Sequence, residues 1–244
     1  MSIRRTLATS RRILQQLQHD RRTVAMIIAA PILLMVVLRY ALNSVDRFSG
    51  VAPAMLGIFP FVMMFLVTSV ATLRERTTGT LERLLTMPMG KLDLLVGYAL
   101  AFAILAVVEV GAVALVSVTW LGLDIAGSTG MLLLVAVMGA LLGVALGLLV
   151  SAFARTEFQA VQFLPAIVLP QVLLCGLFVP RESMATALRW ISDVLPLSYA
   201  VRALDSVTRS GSVGRQLVGD LMILVGATLA ALVLAAATLR RRTG

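Results

Sequence analysis

The chain has 244 residues, of which 59% are hydrophobic and only 14% charged, and its mean hydropathy is +0.98. A soluble domain carries about a quarter charged residues, so this composition excludes a globule in water and makes lipid the main solvent. The net charge of +9 gathers at the ends of apolar runs, where it sets membrane orientation rather than binding nucleic acid; Cys175 and His19 stand alone, which excludes disulfides and His/Cys metal centres.

Residues 1–23 carry six arginines, with Leu7 and Leu14 above one another on a helix and Arg5, Arg12 and His19 on another side. This predicts an amphipathic helix in the membrane interface before the first span. A secretory leader would look similar, but no small-x-small cleavage site follows, so the stretch is read as part of the working chain. Six apolar runs then follow, each near the twenty or so residues a bilayer requires. They are 24–42, 51–73, 94–120, 131–153, 158–179 and 217–239. Pro31 lies inside the first, and Arg39 near its end is able to snorkel to the interface. Glu109 interrupts the third, about 22 Å from its start at 1.5 Å per residue. A carboxylate at that depth is costly, which makes it a functional candidate by default; a structural pair with a nearby Ser, Thr or Arg is the blander alternative. The fourth run holds Gly139, Gly143 and Gly147, a small-residue stripe suited to close helix contact, read first as packing within one subunit. The fifth carries Gln159, Gln162, Pro165, Pro170 and Gln171 and is uneven and partly polar.

Residues 180–215 differ from the other connections. Met184, Leu188, Ile191 and Leu195 make a helical stripe, Pro196 interrupts it, and a second apolar stretch runs from Leu197 to Leu204 among mixed charges. Two short amphipathic helices re-entering the outer leaflet are expected, with Trp190 and Tyr199 at interfacial depth. With the N-terminus inside, the inner segments hold fourteen basic residues and the outer segments seven, so both termini are expected in the cytoplasm. Lys91 is the only lysine among the 21 basic residues, a coding bias of the kind a GC-rich bacterial genome produces.

Between the second and third runs lies the most charge-dense stretch of residues 40–150: Arg74-Glu75-Arg76, then Gly79-Thr80-Leu81-Glu82-Arg83-Leu84-Leu85, then Pro88. Leu81, Leu84 and Leu85 share a helical face that a plain solvated loop does not need. This stretch resembles the cytoplasmic coupling segment of type-2 ABC exporter permeases. A second block agrees, Gly176-Leu177-Phe178-Val179-Pro180 followed by Pro196-Leu197-Ser198-Tyr199, in the family's order.

The resemblance implies an all-α membrane protein: six transmembrane helices in one permease domain over 1–244, an interfacial helix over 1–23, a coupling segment over 74–91 and an external helical hairpin over 180–215. It implies that Arg74, Glu75, Arg76, Gly79, Thr80, Leu81, Glu82, Arg83, Leu84 and Pro88 form the contact with a separate ABC ATPase subunit. Within it the charged residues would touch the partner and the leucines would anchor the segment. The second and fifth spans would flank the pathway, which makes Phe61, Phe65 and Gln162 candidates for lining it beside Glu109, and Gly176, Pro180, Pro196 and Tyr199 would shape the hairpin. The implied partners are that ATPase, a second permease copy (identical or not) and the bilayer of a bacterial plasma membrane. The chain has no G-x-x-x-x-G-K-[ST], no G-x-S-x-G and no H-E-x-x-H, so no catalytic residue and no metal is assigned to it. ATP and Mg are expected on the partner.

A small amphipathic, lipid-like or antibiotic cargo is expected, because the pathway candidates are aliphatic or Phe and aromatics are only 6% of the chain. The alternatives are a secondary transporter using Glu109, and a membrane anchor without transport. The former should show an internal repeat, and none is evident between 24–120 and 131–239.

Overall fold

The computed structural model describes residues 3–78, 91–210 and 214–238, and every regular element among them is helical. The elements are α1 (Ile3–His19), α2 (Arg21–Leu42), α3 (Val45–Thr77), α4 (Lys91–Thr119), α5 (Thr129–Ser151), α6 (Glu157–Leu174), α7 (Thr186–Val194), α8 (Leu197–Ser210) and α9 (Arg215–Thr238). Six of them, α2 to α6 and α9, are long and apolar enough to cross a membrane. Helices satisfy their own backbone, which is why they are the spanning elements a lipid solvent allows.

Helix α3 is the axis. It is 33 residues long, so at 1.5 Å per residue it extends for about 50 Å and outlasts the hydrocarbon at both ends. It begins before the apolar run that announces it because Asn43, in the left-handed region at φ 46°, closes α2 and Ser44 caps α3 immediately afterwards, accepting from the Arg47 N–H at 3.4 Å. Its inward face buries Phe48, Leu56, Phe61, Met64 and Phe65 completely.

The small-residue stripe of α5 lies against α3 of the same chain. A Cβ added at Gly147 would stand 2.7 Å from the Phe65 carbonyl oxygen, and one at Gly143 would collide with the Phe61 carbonyl. Backbone therefore meets backbone, which only glycine permits. At Gly139 the nearest atoms would be 3.7 Å away, an ordinary contact.

The N-terminal helix does form, and its two apolar features separate. Thr6, Thr9, Ser10 and Ile13 are buried on the bundle, and Thr9 sits where a side chain on Gly97 of α4 would be. Ile3 and Leu7 are instead exposed on the flank. A face of small polar residues with Ile13, Leu14 and Leu17 thus docks α1 on protein and leaves Ile3 and Leu7 free for lipid.

The fifth apolar run, expected to continue to Val179, stops as a helix at Leu174. Pro165 and Pro170 each lack an N–H, the turn between them widens to a π-helical segment over Leu164–Val168, and Gly176 at φ 98° ends the direction of travel. The short helices beyond it take unequal roles. Most of α7 is exposed, including Leu188, Trp190, Ile191 and Val194, whereas α8 is wedged between α3, α5 and α9 with Leu197, Ala200, Ala203 and Leu204 fully buried. Gly57 of α3 makes room for Leu204.

A polar lock holds this region. Arg202 of α8 donates to both oxygens of Asp220 on α9, with Nε–Oδ2 at 2.9 Å, and Asp220 is buried. Arg181 pairs with Asp193, Tyr199 donates to the Asp193 carbonyl at 2.6 Å, and both guanidiniums lie over the Tyr199 ring, Arg202 at 4.9 Å and Arg181 at 5.7 Å. Such cation–π contacts add to the ion pairs where water is scarce.

Two outcomes follow from this packing, both read as melting temperatures of the purified protein in detergent. Gly143→Ala lowers the melting temperature, by an overpacking cost of about 1–3 kcal/mol, while Gly139→Ala leaves it within about a degree of the parent; equal behaviour of the two contradicts the packing described. Arg202→Leu strands the Asp220 carboxylate at a cost of about 3–5 kcal/mol, and the double variant Arg202→Leu/Asp220→Leu recovers most of the loss.

Candidate functional site

The charged end of α3 is where the helices of the bundle meet. Three consecutive residues project around its last turn, and each finds a partner on a different helix. Arg74 forks onto Glu157 of α6, with Nε–Oε1 at 2.9 Å and Nη2–Oε2 at 3.2 Å. Glu75 accepts from Arg12 of α1 at 2.8 Å and from the Tyr98 hydroxyl of α4. Arg12 also reaches the Tyr98 oxygen at 3.2 Å, which closes a triangle. Arg76 donates to the Ser151 carbonyl at the end of α5 at 3.1 Å. The spacing explains the fan: at about 100° per residue, three neighbours on a helix face three directions.

These contacts differ in what they contribute. The Arg74–Glu157 pair is mostly exposed and exchanges freely with water, so its bidentate geometry matters more than its charge. The Arg12–Glu75 pair is more enclosed, with the Glu75 side chain only 15% exposed, and its hydrogen bonds are charge-assisted. Arg76 uses the end of α5, where the helix leaves carbonyls unpaired.

Beside this hub, between α1, α3, α4 and α6, lies a cavity of about 550 Å³. It is lined mostly by apolar residues, Leu66, Val67 and Val70 among them, and by the polar Gln16, Asp20 and Thr23. Asp20 closes α1 and caps α2. It accepts from the Thr23 hydroxyl at 2.6 Å and the Thr23 N–H at 3.1 Å, and these bonds hold its carboxyl below the usual carboxylate range.

The residues singled out in the sequence are distributed unevenly around these features. Arg74, Glu75 and Arg76 belong to the last turn of α3 itself; all three are partnered within the chain, Glu75 and Arg76 partly enclosed and Arg74 on the exposed surface. Gly79, Thr80, Leu81, Glu82, Arg83, Leu84 and Pro88 lie outside the described residues. Phe61 and Phe65 are fully buried between α3 and its neighbours, and Gln162 is exposed on α6. Glu109 is fully buried, and neither of its carboxyl oxygens has a hydrogen-bond partner among the described residues, so the expected structural pair is not formed. Gly176 provides the positive-φ turn after α6, Pro180 precedes a short 3₁₀ turn at Arg181–Ser183, Pro196 separates α7 from α8, and Tyr199 is the platform of the arginine lock.

Sequence reasoning missed the role of Arg12 and Tyr98. Arg12 looked like one of several interfacial arginines and Tyr98 like one residue of an apolar run. A signal was there nonetheless, since a tyrosine one turn inside a span places its hydroxyl at the depth of the charges on the neighbouring helix.

The family signature described as ABC-2 type transporter matches residues 5–208. Among similar proteins, the probable multidrug ABC transporter permease YbhS of Escherichia coli (strain K12) is 28% identical over 180 residues, covering 73% of this chain and 48% of that protein. The linearmycin resistance permease protein LnrN of Bacillus subtilis (strain 168) is 27% identical over 167 residues, covering 68% of this chain and 43% of that protein. ABC transporter G family member 20 of Dictyostelium discoideum is 26% identical over 160 residues, or 66% of this chain and 22% of the relative. The chain thus spans less than half the length of these relatives. With the family matched over most of its length and six helices fit to cross a membrane, the chain belongs to the ABC-2 type transporter family, as a multi-pass permease of the bacterial inner membrane.

Proposed function

We propose that this chain is the transmembrane subunit of an ATP-driven exporter, working as a dimer with a second permease copy and energised by separate ATPase subunits that hold ATP and Mg. The observation that carries the reading is the fan of contacts at the end of α3, immediately before residues 79–90. A push on that segment reaches four other helices at once, because α1, α4, α5 and α6 are all tied to the same turn. Rigid elements with two arrangements are what a switch of access requires.

In this reading the hub end of the bundle and both termini face the cytoplasm, in keeping with the charge asymmetry of the loops. Glu82 and Arg83 meet the ATPase, while Glu75 and Arg76 transmit rather than touch. That shift of role comes from their internal partners. The cargo is small and amphipathic, lipid-like or antibiotic; the similarity to YbhS, a probable multidrug permease, and to LnrN, a linearmycin resistance permease, supports it.

One observation favours a second reading. Glu109, buried in α4 without a hydrogen-bond partner among the described residues, suits a proton-coupled carrier. That carrier would need no ATPase, and Glu109→Gln would abolish its flux.

The deciding experiment is affinity purification from native membranes followed by ATPase and transport assays. The expected result is a co-purifying ATPase lost on combining Glu82→Arg with Arg83→Glu. Glu75→Gln keeps that partner bound yet lowers export per ATP hydrolysed at least about threefold, as loss of one charge-assisted contact in the relay predicts. Flux driven by a proton gradient in a preparation free of ATPase overturns the reading.

A further inference from the structure

The burial of α3 is interrupted along one strip. Between Phe61 and Leu73 every residue is buried except Val62, Met63, Leu66, Val67, Val70 and Ala71, which stay half-buried and repeat every four residues along one side. From Val62 to Arg74, at 1.5 Å per residue, the strip runs for about 18 Å, close to one leaflet of a hydrocarbon core about 30 Å thick. Its hub half opens into the cavity of about 550 Å³, a volume ordinary for a ligand site. The cavity's aromatic walls, Tyr98 and Phe102, are themselves buried, so an occupant meets aliphatic side chains. The strip carries no hydrogen-bonding side chain, which suits a hydrocarbon chain and disfavours a sugar.

The mouth of this groove is basic. Arg12 is neutralised by Glu75. Of the remaining charges, Arg21, Arg22 and Arg74 stand against Asp20 and Glu157, one positive charge in excess. All three arginines are exposed, and neither Arg21 nor Arg22 forms an ion pair among the described residues. Arg74 binds Glu157 through Nε and Nη2, which leaves its other N–H groups open. Asp20 is occupied by the Thr23 hydroxyl and N–H and lies in the field of Arg22 and Arg74. Guanidiniums gathered at the surface end of an apolar groove can hold a phosphate headgroup above its acyl chain.

We propose that this groove binds one anionic phospholipid of the leaflet at the hub end, its phosphate among Arg21, Arg22 and Arg74 and one acyl chain along the α3 strip. The site does not rest on the exporter reading and requires only that the chain spans a membrane.

The test is native mass spectrometry of the protein purified in detergent, titrated with phosphatidylglycerol and separately with phosphatidylethanolamine of the same acyl chains. The expected result is one phosphatidylglycerol retained per chain at concentrations that leave phosphatidylethanolamine unbound. Arg21→Gln combined with Arg22→Gln weakens phosphatidylglycerol about tenfold. Arg4→Gln combined with Arg11→Gln removes the same charge from exposed positions farther back on α1 and changes binding by less than about twofold. Asp20→Asn, which keeps a cap on α2, strengthens binding about two- to threefold, because a carboxylate near the phosphate is gone. Val70→Trp, which fills the groove, abolishes retention, and melting temperatures confirm that the variants fold.

Equal losses from the two arginine pairs, or phosphatidylethanolamine held as tightly as phosphatidylglycerol, overturn the proposal. A dimer that retains no lipid and that Val70→Trp drives apart also overturns it, and assigns the groove to a second copy of the chain. Either failure with a co-purifying ATPase intact leaves the exporter standing. Lipid retained by a preparation that never carries an ATPase removes the exporter and upholds the site.

Discussion

The contact between the Glu75 carboxylate, the Arg12 guanidinium and the Tyr98 hydroxyl is the constraint on which the arrangement of this end of the bundle depends. Without it, α1 would be held to the bundle by a face of two threonines, a serine and Ile13, with Leu14 and Leu17 partly buried beside them. In lipid, apolar surface is not driven together as it is in water, so helices associate through close packing and polar bonds. A partly enclosed ion pair suits that need. It also places Arg12 of the arginine-rich α1 on the docked side of that helix.

The two other charges of the turn extend the same logic. Arg74 reaches α6 and Arg76 reaches α5, so the helix that is longest and most central is also the one whose end is most connected. At the opposite end the arginine lock around Tyr199 does comparable work for α8 and α9. Between these two polar collars the bundle is held by shape, and there the glycines of α5 decide how near α3 may come.

Much of this architecture was legible in the sequence, because the bilayer allows few solutions. Runs of about twenty apolar residues read as spans and proved to be helices, and the glycine stripe read as intrasubunit packing and proved to be so. The charge cluster at 74–76 was legible as important but not in its partners. Periodicity gives the direction a side chain leaves its own helix and says nothing of which helix stands there. The same gap hid Arg12 and Tyr98, 63 and 23 residues from Glu75 respectively. The end of α6 was misjudged for a different reason: hydropathy continues to Val179, but two prolines and a positive-φ glycine set the backbone's course independently of polarity.

The backbone contact of Gly143 and Gly147 with Phe61 and Phe65 has a mechanical meaning. Two helices whose main chains touch have no side chains between them to act as a cushion. They cannot slide by exchanging rotamers, so α3 and α5 move as a single beam. Any change of shape is therefore expected along the seams that beam shares with α2 and α6, whose spans are the least buried among the described residues. The bundle has its stiffness in the middle and its compliance at the edge, where a neighbouring molecule can feel it.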